Sequence, residues 1–185
     1  MKKWWIGWAN TNKTGLPFED LVDPKKIILS LKHYEIRNDF EIFYLWQKVW
    51  EIFKHNSLYK KFLEPKWIIC SDYLSAKLLP DGAIFVIIKN TLFILEVKKQ
   101  WWWGSTDEKL QTSDFKRKQY QKLVAKLWVK IEFCFILDEF FKQKKYNDVL
   151  NYIIAIGDKY FWGETLPLEY MSFLEYLGLP KSQKI

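Results

Sequence analysis

Cysteine is scarce in this 185-residue chain. Only Cys70 and Cys134 occur, too few for a disulfide framework or a four-ligand zinc set, and both read as small apolar residues within strands. Histidine is equally rare: His33 and His55 stand alone in polar, helix-end contexts and read as solvated. Long apolar runs are missing too. None reaches the length that crosses a bilayer, and the opening Met1-Lys2-Lys3-Trp4-Trp5-Ile6-Gly7-Trp8 turns polar at Asn10 before the apolar core of a secretion signal could form. The expected location is therefore the cytoplasm, with no membrane partner. There is no internal repeat, low-complexity tract or linker, so residues 1–185 are expected to form a single domain of a size that buries a substantial core.

What the chain has in quantity is apolar and aromatic side chains. Hydrophobic residues make up 49%, which excludes wholesale disorder, and aromatics 19%, including eleven Trp. Most of these rings are expected inside, although indoles also offer flat surfaces to a nucleic acid or a partner. The net charge is +7. From Glu96 to Lys130 nine bases (Lys98, Lys99, Lys109, Lys116, Arg117, Lys118, Lys122, Lys126, Lys130) face four acids (Glu96, Asp107, Glu108, Asp114), a local net of +5. Such an excess suits a polyanion, because neutralising phosphates releases counterions; a merely solvated lysine face is the competing explanation.

That basic stretch begins at a pattern with chemistry in it. Pro80-Asp81 is followed by two apolar runs, Ala83 to Ile88 and Leu92 to Leu95, broken by Lys89-Asn90-Thr91, and then by Glu96-Val97-Lys98. The runs read as a β-hairpin with two carboxylates and a lysine at its open end. If Lys89-Asn90 is the turn, Ile88 pairs with Thr91, Ala83 with Glu96 and Asp81 with Lys98, and strand alternation puts Asp81, Glu96 and Lys98 on one face. A three-residue turn would shift the register by one and set Val97 and Lys99 opposite Asp81 instead. Two neighbouring carboxylates, Asp81 and Glu96, can hold a hard divalent cation that keeps waters and binds phosphate, and a lysine beside them can orient or activate an attacking water. These are the parts needed to hydrolyse a phosphodiester. Gln100 follows on the same strand parity and could contact water or substrate.

The Pro80-Asp81, Glu96-Val97-Lys98 arrangement resembles the PD-(D/E)xK nuclease superfamily. The segment Gly104 to Tyr120, with Lys145 to Ile153 and Leu166-Pro167-Leu168-Glu169, is similar to type II restriction endonucleases of that superfamily. The resemblance covers about residues 80–180 and is thin before Pro80. It implies an α/β fold with a restriction-endonuclease-like core, a mixed central β-sheet flanked by α-helices, and a magnesium-dependent DNA endonuclease in which Mn2+ can substitute. Asp81 and Glu96 would bind the metal, and Lys98 would position or deprotonate the water and oppose charge on the phosphate. Glu19, in Thr14-Gly15-Leu16-Pro17-Phe18-Glu19, resembles the N-terminal-helix glutamate that reaches the metal site in this superfamily, although a helix-start acid has a sufficient explanation in the macrodipole. The partners implied are double-stranded DNA, contacted by Lys99, Lys109, Lys116, Arg117, Lys118, Lys122 and Lys126, and a second copy of the chain in a homodimer. A repair or junction nuclease and a non-catalytic DNA-binding module are the alternatives.

Elsewhere the pattern predicts an N-terminal helical part (about 1–65), a catalytic core (about 66–160) and a C-terminal helix (about 167–178). Within the first part, an apolar-periodic segment runs from Leu16 towards Leu31 with Pro24 near a helix start or kink. Asn38-Asp39-Phe40-Glu41 reads as a capping box opening a helix to about Lys54, with Ile42, Leu45, Trp46, Val49, Trp50 and Phe53 at helical spacing. Trp67-Ile68-Ile69-Cys70 is a strand candidate. Ser105-Thr106-Asp107-Glu108 opens a helix to about Trp128, with Tyr120, Leu123, Val124 and Leu127 on its buried side and Lys118, Lys122 and Lys126 on another. Ile131 to Leu137 alternates as a strand; Asn147 to Ile156 is a helix closed by Gly157, and a last helix ends at Gly178. Trp101-Trp102-Trp103 cannot all be core if extended, and one is expected to pack at a groove edge or stack on a base.

Overall fold

The computed structural model describes residues 23–29, 31–100, 106–163 and 170–178. Glu19 and Trp101-Trp102-Trp103, together with Ser105 and Leu166 to Glu169, lie outside the described residues. The first described element is a short helix, α1 (Pro24–Leu29), with proline at its opening position and Asp23 Oδ1 accepting the Lys25 N–H at 3.0 Å. Pro24 thus starts the helix, one of the two roles expected of it.

Seven strands follow and form one sheet in sequence order: β1 (Tyr34–Arg37), β2 (Glu41–Tyr44), β3 (Gln47–Phe53), β4 (Gly82–Val86), β5 (Thr91–Lys98), β6 (Lys130–Leu137) and β7 (Lys159–Trp162). Pairing is antiparallel from β1 to β5 and parallel from β5 to β7. The change of direction follows from the connections. Short turns allow antiparallel neighbours, whereas a parallel neighbour needs a long crossover. The chain crosses from β5 to β6 through α2 (Thr106–Leu110) and α3 (Ser113–Val124), and from β6 to β7 through α4 (Asn147–Ala155). A final helix, α5 (Tyr170–Leu177), completes the described chain.

Helices cover both sheet faces. On one, Leu92 and Ile94 of β5 and Phe133 and Phe135 of β6 pack with Tyr120, Leu123 and Val124 of α3, Ile153 of α4, and Leu58, Phe62 and Ile68 from the segment before β4. On the other, Trp50, Ile84, Phe93, Leu95 and Ile136 pack with Ile28 of α1 and Phe173, Leu174 and Leu177 of α5. The fold is α/β, with a mixed sheet whose central strands β4 to β6 are buried on both sides, and β5 and β6 carry the near-continuous apolar runs that burial on two faces requires.

Three local expectations are corrected. Residues from Asn38 to Lys54 form strands, not a helix, so the N-terminal part of the chain is not wholly helical. Asn38 and Asp39, both with positive φ, make the turn between β1 and β2, and Leu45-Trp46 makes the tight turn between β2 and β3. Ile42, Val49, Trp50 and Phe53 satisfy helical spacing, but they are β-branched or aromatic and equally suit strands. Pairing of β3 with β4 decides between the two periods, setting Trp50 opposite Val86 and Ile52 opposite Ile84. Trp67 to Cys70 is not a strand: Trp67 caps a 3₁₀ turn with φ 61°, the Ile68 N–H returns to Leu63 O at 3.1 Å, and Cys70 opens another 3₁₀ turn. The helix expected up to Trp128 divides into α2, α3 and a 3₁₀ turn at Ala125–Leu127. His33 and His55 are exposed as expected, but in turns with positive φ. Both remaining helix ends match their glycines, with φ 84° at Gly157 and 78° at Gly178.

Candidate active site

The β4–β5 hairpin pairs Val86 with Thr91, Ala83 with Ile94 and Gly82 with Leu95. Its loop is therefore the four residues from Ile87 to Asn90, closed by the Asn90 N–H on Ile87 O at 3.1 Å, and longer than the two-residue turn expected. The register moves by two, an even number, so face parity survives. Continuing the register sets Asp81 opposite Glu96.

The approach to Asp81 is held from several sides. Tyr59 Oη and Tyr120 Oη both donate to Leu78 O, at 2.7 and 3.1 Å, and the His55 N–H donates to Pro80 O at 3.0 Å. Asp81 Oδ2 accepts the Val97 N–H at 2.8 Å, which ties the carboxylate to the end of β5. Lys98 Nζ lies 2.8 Å from Glu96 Oε2 and 3.5 Å from Asp81 Oδ2, so the two acids and the lysine meet as the hairpin reading expected. Their environments differ. The Asp81 side chain is 38% exposed and that of Glu96 only 6%. Burial alone would lower the Lys98 pKa, but the carboxylates of Glu96 and then Asp81 outweigh it and hold the ammonium above the ordinary lysine value.

A fourth charged group joins them. Lys116, from α3, places its Nζ 3.0 Å from Glu96 Oε2, the oxygen that Lys98 also binds. Its presence was legible in principle: Lys116 lies one turn before buried Tyr120, on the helix side that faces the sheet. Lys116 was expected as a DNA contact and instead pairs with Glu96, whereas Asp138 was not anticipated at all. This buried residue follows β6, accepts the Gln100 N–H at 2.9 Å and the Phe140 N–H at 3.2 Å, and donates its own N–H to Lys98 O at 3.1 Å. It clamps the chain just after the acid-x-lysine strand. An acid directly after an alternating strand, beside the end of β5 in a parallel sheet, was the available signal.

Gln100 is buried beside this clamp. Lys99 and Lys109 are exposed, as are Lys118, Lys122 and Lys126. Lys118 pairs with Asp114 at 2.6 Å, and Lys126 sits over the Tyr73 ring at 5.5 Å. Arg117, expected among the DNA contacts, binds internally: its guanidinium reaches Asp158 at 2.6 Å, Ile156 O at 2.9 Å and Asp114 at 3.0 Å. It closes the C-terminal end of α4 against α3. Burial pushes the Asp158 carboxyl up, against the opposing pull of Ser113 and Arg117.

Among the described residues no group of three or more His, Cys, Asp or Glu side chains forms a metal cage. Asp81 and Glu96 remain a two-carboxylate donor set, and that number fits a cation which keeps several waters, such as Mg2+. Among the described residues Asp81 Oδ1 makes no hydrogen bond, while Glu96 Oε2 is covered by two ammoniums. Two surface clefts lie elsewhere, one of about 220 Å³ along His33, Tyr34, Phe43 and Trp46 and one of about 360 Å³ at Gln111, Asp148 and Tyr152. No protein-family model, curated protein or solved structure matches the chain. No helix among the described residues is long and apolar enough to cross a membrane.

Proposed function

We propose that this chain is a metal-dependent phosphodiesterase acting on double-stranded DNA, with the restriction-endonuclease-like core of the PD-(D/E)xK nucleases. The observation that carries the reading is the meeting of Asp81, Glu96 and Lys98 at the C-terminal end of β5, where the sheet changes from antiparallel to parallel. Ligands of open α/β sheets gather at the carboxyl ends of strands, and the basic stretch starts at this end with Lys98 and Lys116, while Lys130 pairs with Thr91 at the opposite end of β5. Asp81 and Glu96 would hold Mg2+, with Mn2+ able to substitute; when bound, the cation supplies Lewis-acid stabilisation and a more acidic water. Lys98 keeps its proton, so in the metal-free protein it is suited to orient water and oppose phosphate charge rather than to act as a base. Cleavage of a short, two-fold symmetric site by a homodimer is the type II restriction form of this proposal.

One observation favours a second reading. Glu96 is nearly buried and bound by two lysines, as a structural ion-pair hub would be, and the protein would then be a DNA-binding module without catalysis. Asp81→Asn and Lys98→Ala separate the two. For the nuclease, Asp81→Asn abolishes Mg2+-dependent cleavage while duplex binding survives or tightens, because a charge that repels phosphate is gone; Lys98→Ala lowers cleavage at least about a hundredfold with binding in Ca2+ retained. Cleavage assays and gel shifts on the same folded preparations give the answer. Full cleavage by both variants would remove the mechanism, and joint loss of folding and binding would favour the structural hub.

A further inference from the structure

Two lysines meet one oxygen of Glu96, and they are held differently. Lys98 is two residues from Glu96 on the same strand, also lies 3.5 Å from Asp81, and is 16% exposed. Lys116 arrives from the crossover helix, is 26% exposed, and has Glu96 as its only charged partner among the described residues. An ammonium at the end of a flexible four-carbon stem can exchange one anion for another without moving the backbone. Lys98 has no such freedom, since both of its partners belong to the site.

Resting on the phosphodiesterase reading above, we propose that Lys116 is a counter-ion gate that couples substrate binding to cation binding at Glu96. In the free protein its ammonium covers Glu96 Oε2, and a divalent cation must displace it to use that oxygen. A backbone phosphate arriving at the end of β5 offers the ammonium a second anion, and its transfer there leaves Lys98 as the one ammonium on that oxygen among the described residues. Substrate and cation then favour one another's binding, and the coupling is reciprocal because it is a property of the shared equilibrium. The site resists loading with cation until a polyanion is present.

The gate makes a prediction of opposite sign for two ligands. Lys116→Gln should bind Mn2+ about tenfold more tightly than wild type in the absence of DNA, measured by electron paramagnetic resonance, within the usual range of such couplings. The same variant should bind duplex DNA several-fold more weakly in EDTA, measured by fluorescence anisotropy. Lys122→Gln makes the same charge change at an exposed position of α3 and should weaken duplex binding while leaving Mn2+ affinity within about twofold of wild type. Lys116→Arg should restore wild-type Mn2+ affinity, and Lys116→Met guards against a folding defect peculiar to glutamine. Unchanged Mn2+ affinity in both neutral variants, or parallel weakening of Mn2+ and duplex binding, would overturn the gate while leaving Glu96-dependent Mn2+ binding in place. Should wild-type Mn2+ binding be absent, or indifferent to Glu96→Gln, the phosphodiesterase reading itself fails and the gate with it.

Discussion

Lys98 sits where desolvation and ion pairing compete, and the pairing prevails. A lysine whose folded pKa lies above its unfolded value contributes stability that is fully present below the unfolded value and disappears as pH rises through the folded one. The destabilisation of Lys98→Met relative to wild type should therefore stay constant from pH 6 to 9 and shrink only above about pH 10.4. Urea denaturation of both proteins across that range measures it; a penalty that disappears near neutrality would mean the ammonium is not held as described. At this scale the site was half legible. Asp81, Glu96 and Lys98 are close in sequence and share strand parity, so their meeting depends on one hairpin. Lys116 and Asp138 reach the end of β5 through a crossover and a parallel neighbour, so their local patterns show which way they face but not which groups they meet.

At the scale of single elements, the β2–β3 turn is the clearest strain in the described chain. Leu45 and Trp46 hold φ of 45° and 73°, a region that costs an L residue about 1–2 kcal/mol unless it is glycine or asparagine. Trp46 is 82% exposed and Leu45 54%, so little burial offsets that strain. Replacing Leu45-Trp46 with Asn-Gly should stabilise the protein by about 1–2 kcal/mol in chemical denaturation, since this pair suits a two-residue hairpin turn. A lower stability would show that these side chains contribute packing that their exposure conceals. Helix α3 and the turn after it carry Lys118, Lys122 and Lys126 at the surface. An exposed pair such as Lys118–Asp114 is weak enough to yield to a phosphate. Replacing all three with Ala should weaken binding to every duplex alike and reduce the salt slope of log K by about 2–3, because phosphate contacts position the duplex and base contacts specify it. An unchanged slope would make the stripe a solvated face. Elements with one unambiguous signal were legible, as at β6, α4 and α5. The segment from Ile42 to Phe53 was not, because its spacing fits two periods.

At the scale of the molecule, the described chain is built on a sheet whose central strands are buried on both sides, and its two thiols report on different parts of it. Cys134 lies in β6 with no exposed surface, and burial pushes its thiol well above the usual cysteine range. Cys70 lies in the 3₁₀ turn before β4, buried but outside any strand, contrary to the expectation for it. In native buffer a disulfide reagent should label Cys134 only at the rate of global unfolding, while Cys70 reacts sooner through local opening of its segment. Single Cys→Ser variants separate the two rates. Equal rates for both thiols would mean that the segment from Leu58 to Leu74 opens only with the sheet.

The sequence by itself determined the strands and helices that carry one strong period and the shared face of Asp81, Glu96 and Lys98. Each of these depends on alternation, capping or glycine chemistry within a few residues. Tertiary structure alone decided that residues 34–53 extend the sheet, that Lys116 meets Glu96, that Asp138 clamps the chain after β5, and that Arg117 turns inward to Asp158. In those cases the local code allows more than one answer, and the deciding free energy comes from partners far away in the chain: a neighbouring strand for β3, a nearly buried carboxylate for Lys116, and a buried acid for Arg117.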